Sequence, residues 1–220
     1  DAVTLINMFP TVSSLTMRGG YIKHATGLDG NAQTIMVYNY GNNSKMFAAT
    51  STGKIYDTTS SGAVGSPVVT GLTNGIWEYT NITTTGGSYL YAVNGVDKPL
   101  LYNGTTWTPI DGASTPAITG VTTTTLVNIT LFKNRLWFIE KNTLKAWYLP
   151  TSSVGGAAQF LDLSSICKYG GHLVDLDTWT LDAGYGVDDN LAFITSTGEV
   201  VVYRGTDPAS AATWALIGVW

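Results

Sequence analysis

Ser44-Lys45-Met46-Phe47-Ala48-Ala49, Ser88-Tyr89-Leu90-Tyr91-Ala92-Val93, Asn134-Arg135-Leu136-Trp137-Phe138-Ile139 and Asp189-Asn190-Leu191-Ala192-Phe193-Ile194 are four versions of one pattern, polar at the start and apolar from the third residue. A second apolar run follows each, centred on Tyr56, Tyr102, Trp147 and Tyr203, at 10, 12, 11 and 12 positions after Met46, Leu90, Leu136 and Leu191. Two strands and a turn occupy about that much chain. The aromatics recur after 46, 45 and 56 residues. Further apolar runs flank each pair, at 35–40, 76–82, 128–132 and 179–182 before it, and at 67–70, 106–110, 159–163 and 213–219 after it. Four strands per repeat at this period is the pattern of propeller blades.

The punctuation agrees. Gly41-Asn42-Asn43, Thr52-Gly53, Gly86-Gly87, Asn94-Gly95, Asn103-Gly104 and Thr197-Gly198 lie between apolar runs, where tight turns need residues that accept positive φ. The expected fold is therefore all-β and β-propeller-like, with four repeats of about four antiparallel strands, either closed or part of a larger propeller. The units expected within one domain are 34–72, 76–110, 126–164 and 172–220. Residues 1–33 form an N-terminal segment in which 14–25 is a candidate ring-closing strand. An irregular β-sandwich also has many short strands, but it has no reason to duplicate strand and turn order four times. The chain opens on Asp1 and ends in a strand-like run at Trp220, which reads as a piece of a longer polypeptide.

Composition narrows the function classes. Only 12% of the 220 residues are charged while 44% are hydrophobic, enough apolar surface for a packed core. The net charge is −4 and the 11 Lys and Arg are scattered, so no basic stripe offers itself to phosphates and sequence-specific nucleic-acid binding is not expected. No apolar run is long enough to cross a bilayer. The single Cys167 excludes an intrachain disulfide and a multi-cysteine metal site.

A catalytic constellation is not legible. His24 and His172 are the only imidazoles, and no nucleophile elbow, phosphate-binding loop or zinc-binding helix motif is present. Cys167 and His172 share a connector, where a buried structural Cys is the simpler reading. Glu78, Glu140 and Glu199 are candidate acids for sugar hydrolysis only if two of them converge. Asp182, Asp188 and Asp189 flank a glycine turn and are a candidate Ca²⁺ set, but without the spacing of a helix–loop–helix site; a solvated hairpin turn is the plainer account. Trp77, Trp107, Trp179 and Trp214 are candidate glycan-stacking residues, although aromatics at repeated positions more often form inter-blade core. No cofactor is expected.

Several segments, however, are familiar in order and wording. Residues 2–10, the run Met17-Arg18-Gly19-Gly20-Tyr21-Ile22-Lys23-His24-Ala25-Thr26-Gly27-Leu28, Phe132-Lys133-Asn134-Arg135-Leu136-Trp137-Phe138 and Leu144-Lys145-Ala146-Trp147-Tyr148-Leu149-Pro150 are among them. So are Thr178-Trp179-Thr180-Leu181-Asp182-Ala183-Gly184 and Tyr203-Arg204-Gly205-Thr206-Asp207-Pro208. Together they resemble a family of tail tube, nozzle or hub proteins of short-tailed bacteriophages and related prophages. The resemblance implies a non-enzymatic virion protein, made in the bacterial host cytoplasm and assembled into the tail. It also implies a homo-oligomeric ring below the portal, in contact with other tail and portal-adaptor proteins, through which DNA passes. The alternative is a carbohydrate-binding propeller module, lectin-like or receptor-binding.

Overall fold

The computed structural model describes residues 4, 6–41, 43–182 and 187–220, with backbone alone at 181, 182, 187 and 188. The chain starts with a small hairpin, β1 (Met8–Pro10) and β2 (Leu15–Met17), closed by the Thr11 amide donating to the Ser14 carbonyl at 2.8 Å. Every side chain of both strands is exposed. A short strand β3 (Ala25–Thr26) follows. The first large sheet is β4 (Ala32–Tyr40), β5 (Asn43–Thr50) and β6 (Lys54–Asp57), antiparallel in chain order. Strand β7 (Gly62–Ala63) returns to pair in parallel with β3. Among the described residues the N-terminal segment thus adds no strand to the last sheet: β1 and β2 pair with each other, and β3 pairs with β7. The ring-closing expectation for 14–25 is corrected accordingly.

The second sheet is β8 (Glu78–Thr84), β9 (Gly87–Val93), β10 (Leu100–Tyr102) and β11 (Trp107–Pro109). A second parallel tie then forms between β12 (Ile118–Thr119) and a later segment. The third sheet takes β13 (Leu126–Phe132), β14 (Arg135–Glu140) and β15 (Lys145–Tyr148), after which β16 (Gly156–Ala157) completes the tie to β12. Strand β17 (Gln159–Asp162) finishes the third sheet. The fourth sheet is β18 (Leu173–Asp182), β19 (Val187–Thr195), β20 (Val200–Gly205) and β21 (Trp214–Val219). Among the described residues there is no α-helix, only one 3₁₀ turn at Thr123–Thr125, and no helix long and apolar enough to cross a membrane.

The repeated residues explain the order. Met46, Leu90, Leu136 and Leu191 lie in β5, β9, β14 and β19, the second strand of each sheet. Tyr56, Tyr102, Trp147 and Tyr203 lie in the third strands β6, β10, β15 and β20. Leu90 pairs with Tyr102 and Leu191 with Tyr203, whereas Tyr56 and Trp147 pair two residues further on, with Ala48 and Phe138. A shift of two keeps every one of them on the same face of its sheet.

Both faces of the middle strands are used. In the space between the first and second sheets, Phe47 and Ala49 meet Leu90 and Ala92. Between the second and third, Tyr91 and Val93 meet Leu136 and Phe138. Between the third and fourth, Trp137 and Ile139 meet Leu191 and Phe193. Here Trp214 stacks on Trp137 and Tyr203 at centroid distances of 5.5 and 5.3 Å. Among the described residues no fourth apolar cluster joins β18–β21 to β4–β6. First strands neighbour one another, β4 against β8, β8 against β13 and β13 against β18, so they run along a common axis with the fourth strands outermost.

Candidate functional site

The axial surface is polar. Glu78 and Thr80 of β8, Asn128 and Thr130 of β13, and Asp175 and Asp177 of β18 line a space of about 390 Å³. Side chains alternate along a strand, so within each inner strand these residues share one face while their neighbours Ile129 and Leu176 enter the cores from the other. Lateral hydrogen bonds connect the inner strands. Asn128 Nδ2 donates to Asp175 Oδ1 at 2.8 Å, and Thr130 Oγ1 to Asp177 Oδ1 at 3.4 Å. One strand pair earlier, Asn81 Nδ2 donates to the Val37 carbonyl at 2.9 Å. Desolvation raises the Glu78 carboxyl above its ordinary value, and the negative charge of Asp175 adds to the shift. The structure therefore brings Glu78 and Asp175 into electrostatic contact. Sequence reasoning named only Glu78. The signal it had was the spacing of 47 residues in both cross-sheet pairs, close to the repeat period.

The other predicted site residues do not gather there. Glu140 Oε2 accepts the Trp147 indole N–H at 2.9 Å, and buried Glu199 accepts the Lys168 and Tyr169 amides at 2.8 and 3.0 Å. Neither converges with Glu78, and Glu199 works as a connector clamp. Cys167 is buried, and that burial, with Glu199 nearby, raises its thiol pKa, the opposite of what a nucleophile needs. His24 Nε2 sits 2.8 Å from the Thr58 carbonyl and ties the N-terminal segment to the first sheet.

The candidate Ca²⁺ set is only partly visible. Asp182 and Asp188 belong to the paired ends of β18 and β19, their side chains outside the described residues, as is the turn 183–186. Asp189 is already engaged, accepting Lys133 Nζ at 2.8 Å and Thr180 Oγ1 at 3.0 Å. No group of three metal-ligating side chains occurs among the described residues.

The four tryptophans separate into distinct roles. Trp77 and Trp214 are 3% and 8% exposed, each inside an inter-sheet core, so neither offers a ring face to a sugar; this corrects the expectation for both. Burial in these cores follows from the large apolar area an indole removes from water. Trp179 is 44% exposed on the outer face of the fourth sheet. Trp107 borders a cleft, about 380 Å³ in volume, with Lys45, Phe47, Asp57, Tyr102 and Thr106. Its ring packs on Phe47 and Tyr102, both with centroids 5.0 Å away, and Lys45 pairs with Asp57 at 3.1 Å across the cleft floor.

Comparison with solved structures identifies this arrangement. The chain is similar to a structure of BBS1N in complex with ARL6DN, soaked with mercury, at a TM-score of 0.56 and 14% identity, covering 97% of this chain and 62% of that one. The lead-soaked form of the same complex matches at a TM-score of 0.50 and 14% identity, over 89% and 56% of the two chains. The fold is β-propeller-like. The chain thus spans less than two thirds of the structures it matches, and at 14% identity the likeness concerns the fold alone. No protein-family model matches the sequence, and no curated protein matches it.

Proposed function

We propose that this chain is a non-enzymatic structural domain of a phage tail nozzle or hub, built of four consecutive propeller blades, and that it serves tail assembly and DNA passage as part of a homo-oligomeric ring. The reading starts from the resemblance of the segments 17–28, 132–138, 144–150 and 203–208 to that family. The observation that carries it furthest is the axial wall. Its Asp175 and Asp177 accept side-chain hydrogen bonds from Asn128 and Thr130 of the adjoining inner strand, ties that suit a scaffold, with Glu78 beside them on the same wall. Large apolar side chains exposed on the N-terminal hairpin and on the outermost sheets are what an assembly subunit presents to its neighbours. Localisation in the virion is part of the proposal. Cryo-electron microscopy of tails from the source particle tests it: density for this domain in a ring below the portal is expected, and its absence from purified tails overturns the reading.

A carbohydrate-binding module is the second reading, favoured by the Trp107 cleft. A half-buried indole bordering the cleft beside a Lys–Asp pair offers both apolar contact and hydrogen bonding to a sugar. Tryptophan-fluorescence titration with host surface polysaccharides, comparing the parent chain with Trp107→Ala, decides between the two readings. A saturable change lost in the variant supports the second; no change at millimolar sugar eliminates it.

A further inference from the structure

Arg135 stands apart from the other ion-paired cations. Among the described residues Lys45, Lys54, Lys98 and Lys133 meet their aspartates at 2.5–3.1 Å, and their side chains are 34–52% exposed. The Arg135 side chain is 13% exposed, the most withdrawn of the set, yet its Nη2 lies 3.7 Å from Asp207 Oδ1, beyond hydrogen-bond reach. Nη1 donates to the Leu149 carbonyl at 3.0 Å, and the guanidinium lies 5.4 Å over the Tyr148 ring. Its Nε is enclosed and has no hydrogen-bond partner. A cation drawn out of water with so few acceptors is costly unless something else meets its donors.

The repeat shows how the gap arises. Lys45 and Arg135 are both the second residue of the repeated motif, and each borders a cleft, at the seams between the first and second and the third and fourth sheets. In the first cleft Asp57, directly after the third-strand Tyr56, closes on Lys45. In the second, Tyr148 follows Trp147 at that place, and the carboxylate comes from Asp207 in the β20–β21 loop of the next sheet. That loop holds it back. Asp207 Oδ1 accepts the Ala209 amide at 3.2 Å, and no hydrogen bond among the described residues engages Oδ2.

The gap opens on a cleft of about 270 Å³ lined by Arg135, Tyr148, Pro150, Gln159, Asp207 and Ala209. Gln159 is exposed; its Oε1 accepts the Tyr148 hydroxyl at 3.4 Å, and its Nε2 has no partner among the described residues. Two donors and a carboxylate therefore border the same small space, with Pro150 and Ala209 beside them.

We propose that this cleft is a second saccharide subsite, in which neighbouring hydroxyls of a neutral sugar ring bridge Arg135 and Asp207. The inference rests on the carbohydrate reading and extends it to residues that the Trp107 cleft does not contain. A hydroxyl accepts from Nη2 while donating to the carboxylate, and a second one accepts from Gln159. An acidic ligand would set its charge against Asp207, with one guanidinium to meet two carboxylates. An apolar ligand would leave the guanidinium donors without acceptors. The volume is at the small end for ligand clefts, which start near roughly 300 Å³, and suits one ring rather than a chain of them.

Heteronuclear NMR of the isotope-labelled chain tests the subsite by titration with methyl mannoside, methyl galactoside, methyl glucoside and inositol, with cyclohexanol and acetate as controls. Saturable shifts of the Arg135 Nε–H and the Gln159 side-chain amide are expected with at least one of the sugars and with neither control. Gln159→Ala and Asp207→Asn are each expected to weaken that binding by about threefold to tenfold. Both side chains reach solvent, and Asp207→Asn keeps an oxygen for the Ala209 amide, so both variants retain the dispersed spectrum of the parent. Shifts confined to the Trp107 indole overturn this subsite and leave the carbohydrate reading standing, whereas no shift at either cleft overturns both. Acetate or cyclohexanol acting at Arg135 as the sugars do overturns the neutral-sugar assignment, and sugar binding unchanged in both variants places the ligand elsewhere and overturns it as well.

Discussion

Leu136 and Met46 hold the same place in the repeat, the third residue of the six-residue motif that forms the second strand, yet they lie in different worlds. Leu136 is fully enclosed between the second and third sheets, with Tyr91 and Phe138 around it. Met46 borders an open groove on the outer face of the first sheet. The residue type at a repeated position reports which face of a sheet it occupies. Whether that face is buried depends on the neighbouring sheet, which no local pattern contains. Energy should follow the neighbour rather than the pattern, and this is what substitution can measure.

The largest effect is expected at the third interface. Trp137 is buried and stacked on Trp214, and its indole N–H has no hydrogen-bond partner, so truncation orphans no polar group. Trp137→Ala should destabilise the chain by about 3–5 kcal/mol through lost contacts and the cavity left behind. Trp179→Ala, on the open face of the fourth sheet, should change stability within about 0.5 kcal/mol. Urea denaturation measures both. Equal costs would break the distinction between enclosed and open faces.

Next comes the matched pair itself. Leu136→Ala should cost about 2–5 kcal/mol, and Met46→Ala less than about 1 kcal/mol because its side chain is already in part solvated. The comparison is sharpened by repeating Met46→Ala across protein concentrations. A penalty that grows with concentration marks a face covered by association, since binding to the folded state adds to apparent stability.

A smaller effect separates a polar clamp from the apolar packing. Glu199 is buried at the β19–β20 turn and accepts two backbone amides from the 164–172 connector. Glu199→Ala leaves the Lys168 and Tyr169 N–H groups without that acceptor, and a loss of about 1–3 kcal/mol is expected in denaturant titration. Hydrogen exchange at those two amides should accelerate while β14 stays protected. If β14 exchanges equally fast, the connector and the core open as one unit.

Where the sequence was readable, one physical rule was enough. The all-β class follows from the repeated pairs, and the turn glycines 41, 53, 87, 95, 104 and 198 all have positive φ. At Gly53 a Cβ would also collide with the Leu72 carbonyl, so the turn needs glycine twice over. The starts of the first strands were harder. Register shifts at 32–34, 126–128 and 173–175 insert a residue and break the two-residue alternation on which strand recognition rests. Strand β18 accordingly begins at Leu173, before the run at 179–182 that its pattern suggests. The stretch 67–70 shrinks to a single bridge between Ile55 and Val69, since Pro67 has no N–H to give a ladder. The parallel ties β3–β7 and β12–β16 are two residues each, too short to leave a pattern. The axial pairing of Glu78 with Asp175 arises only when first strands from different repeats come side by side, which spacing hints at and folding decides.

That axial pairing supplies the subtlest test, because it concerns a proton rather than a packed side chain. Glu78 is exposed by surface area, so only partial desolvation among the inner strands is available to raise its pKa; that is the main cause, and Asp175 is the second. A carboxyl whose folded pKa lies above its unfolded value contributes stability that is fully present below the unfolded pKa and is lost as pH rises through the folded one. Glu78→Gln should therefore gain stability relative to the parent chain as pH rises from the ordinary glutamate value of 4.5 through the raised value, and differ little below it. Asp175→Asn keeps an oxygen to accept the Asn128 amide while removing the charge, so it should bring the Glu78 pKa part of the way back towards 4.5 and leave the desolvation share in place. Carboxyl chemical shifts followed by NMR from acid to neutral pH read both quantities directly. If Glu78 titrates at its ordinary value in the parent chain, the inner strands do not form the shared acidic wall. If the raised value is untouched by Asp175→Asn, the carboxylates stand too far apart across the axis to feel each other, and partial desolvation alone sets the proton affinity of Glu78.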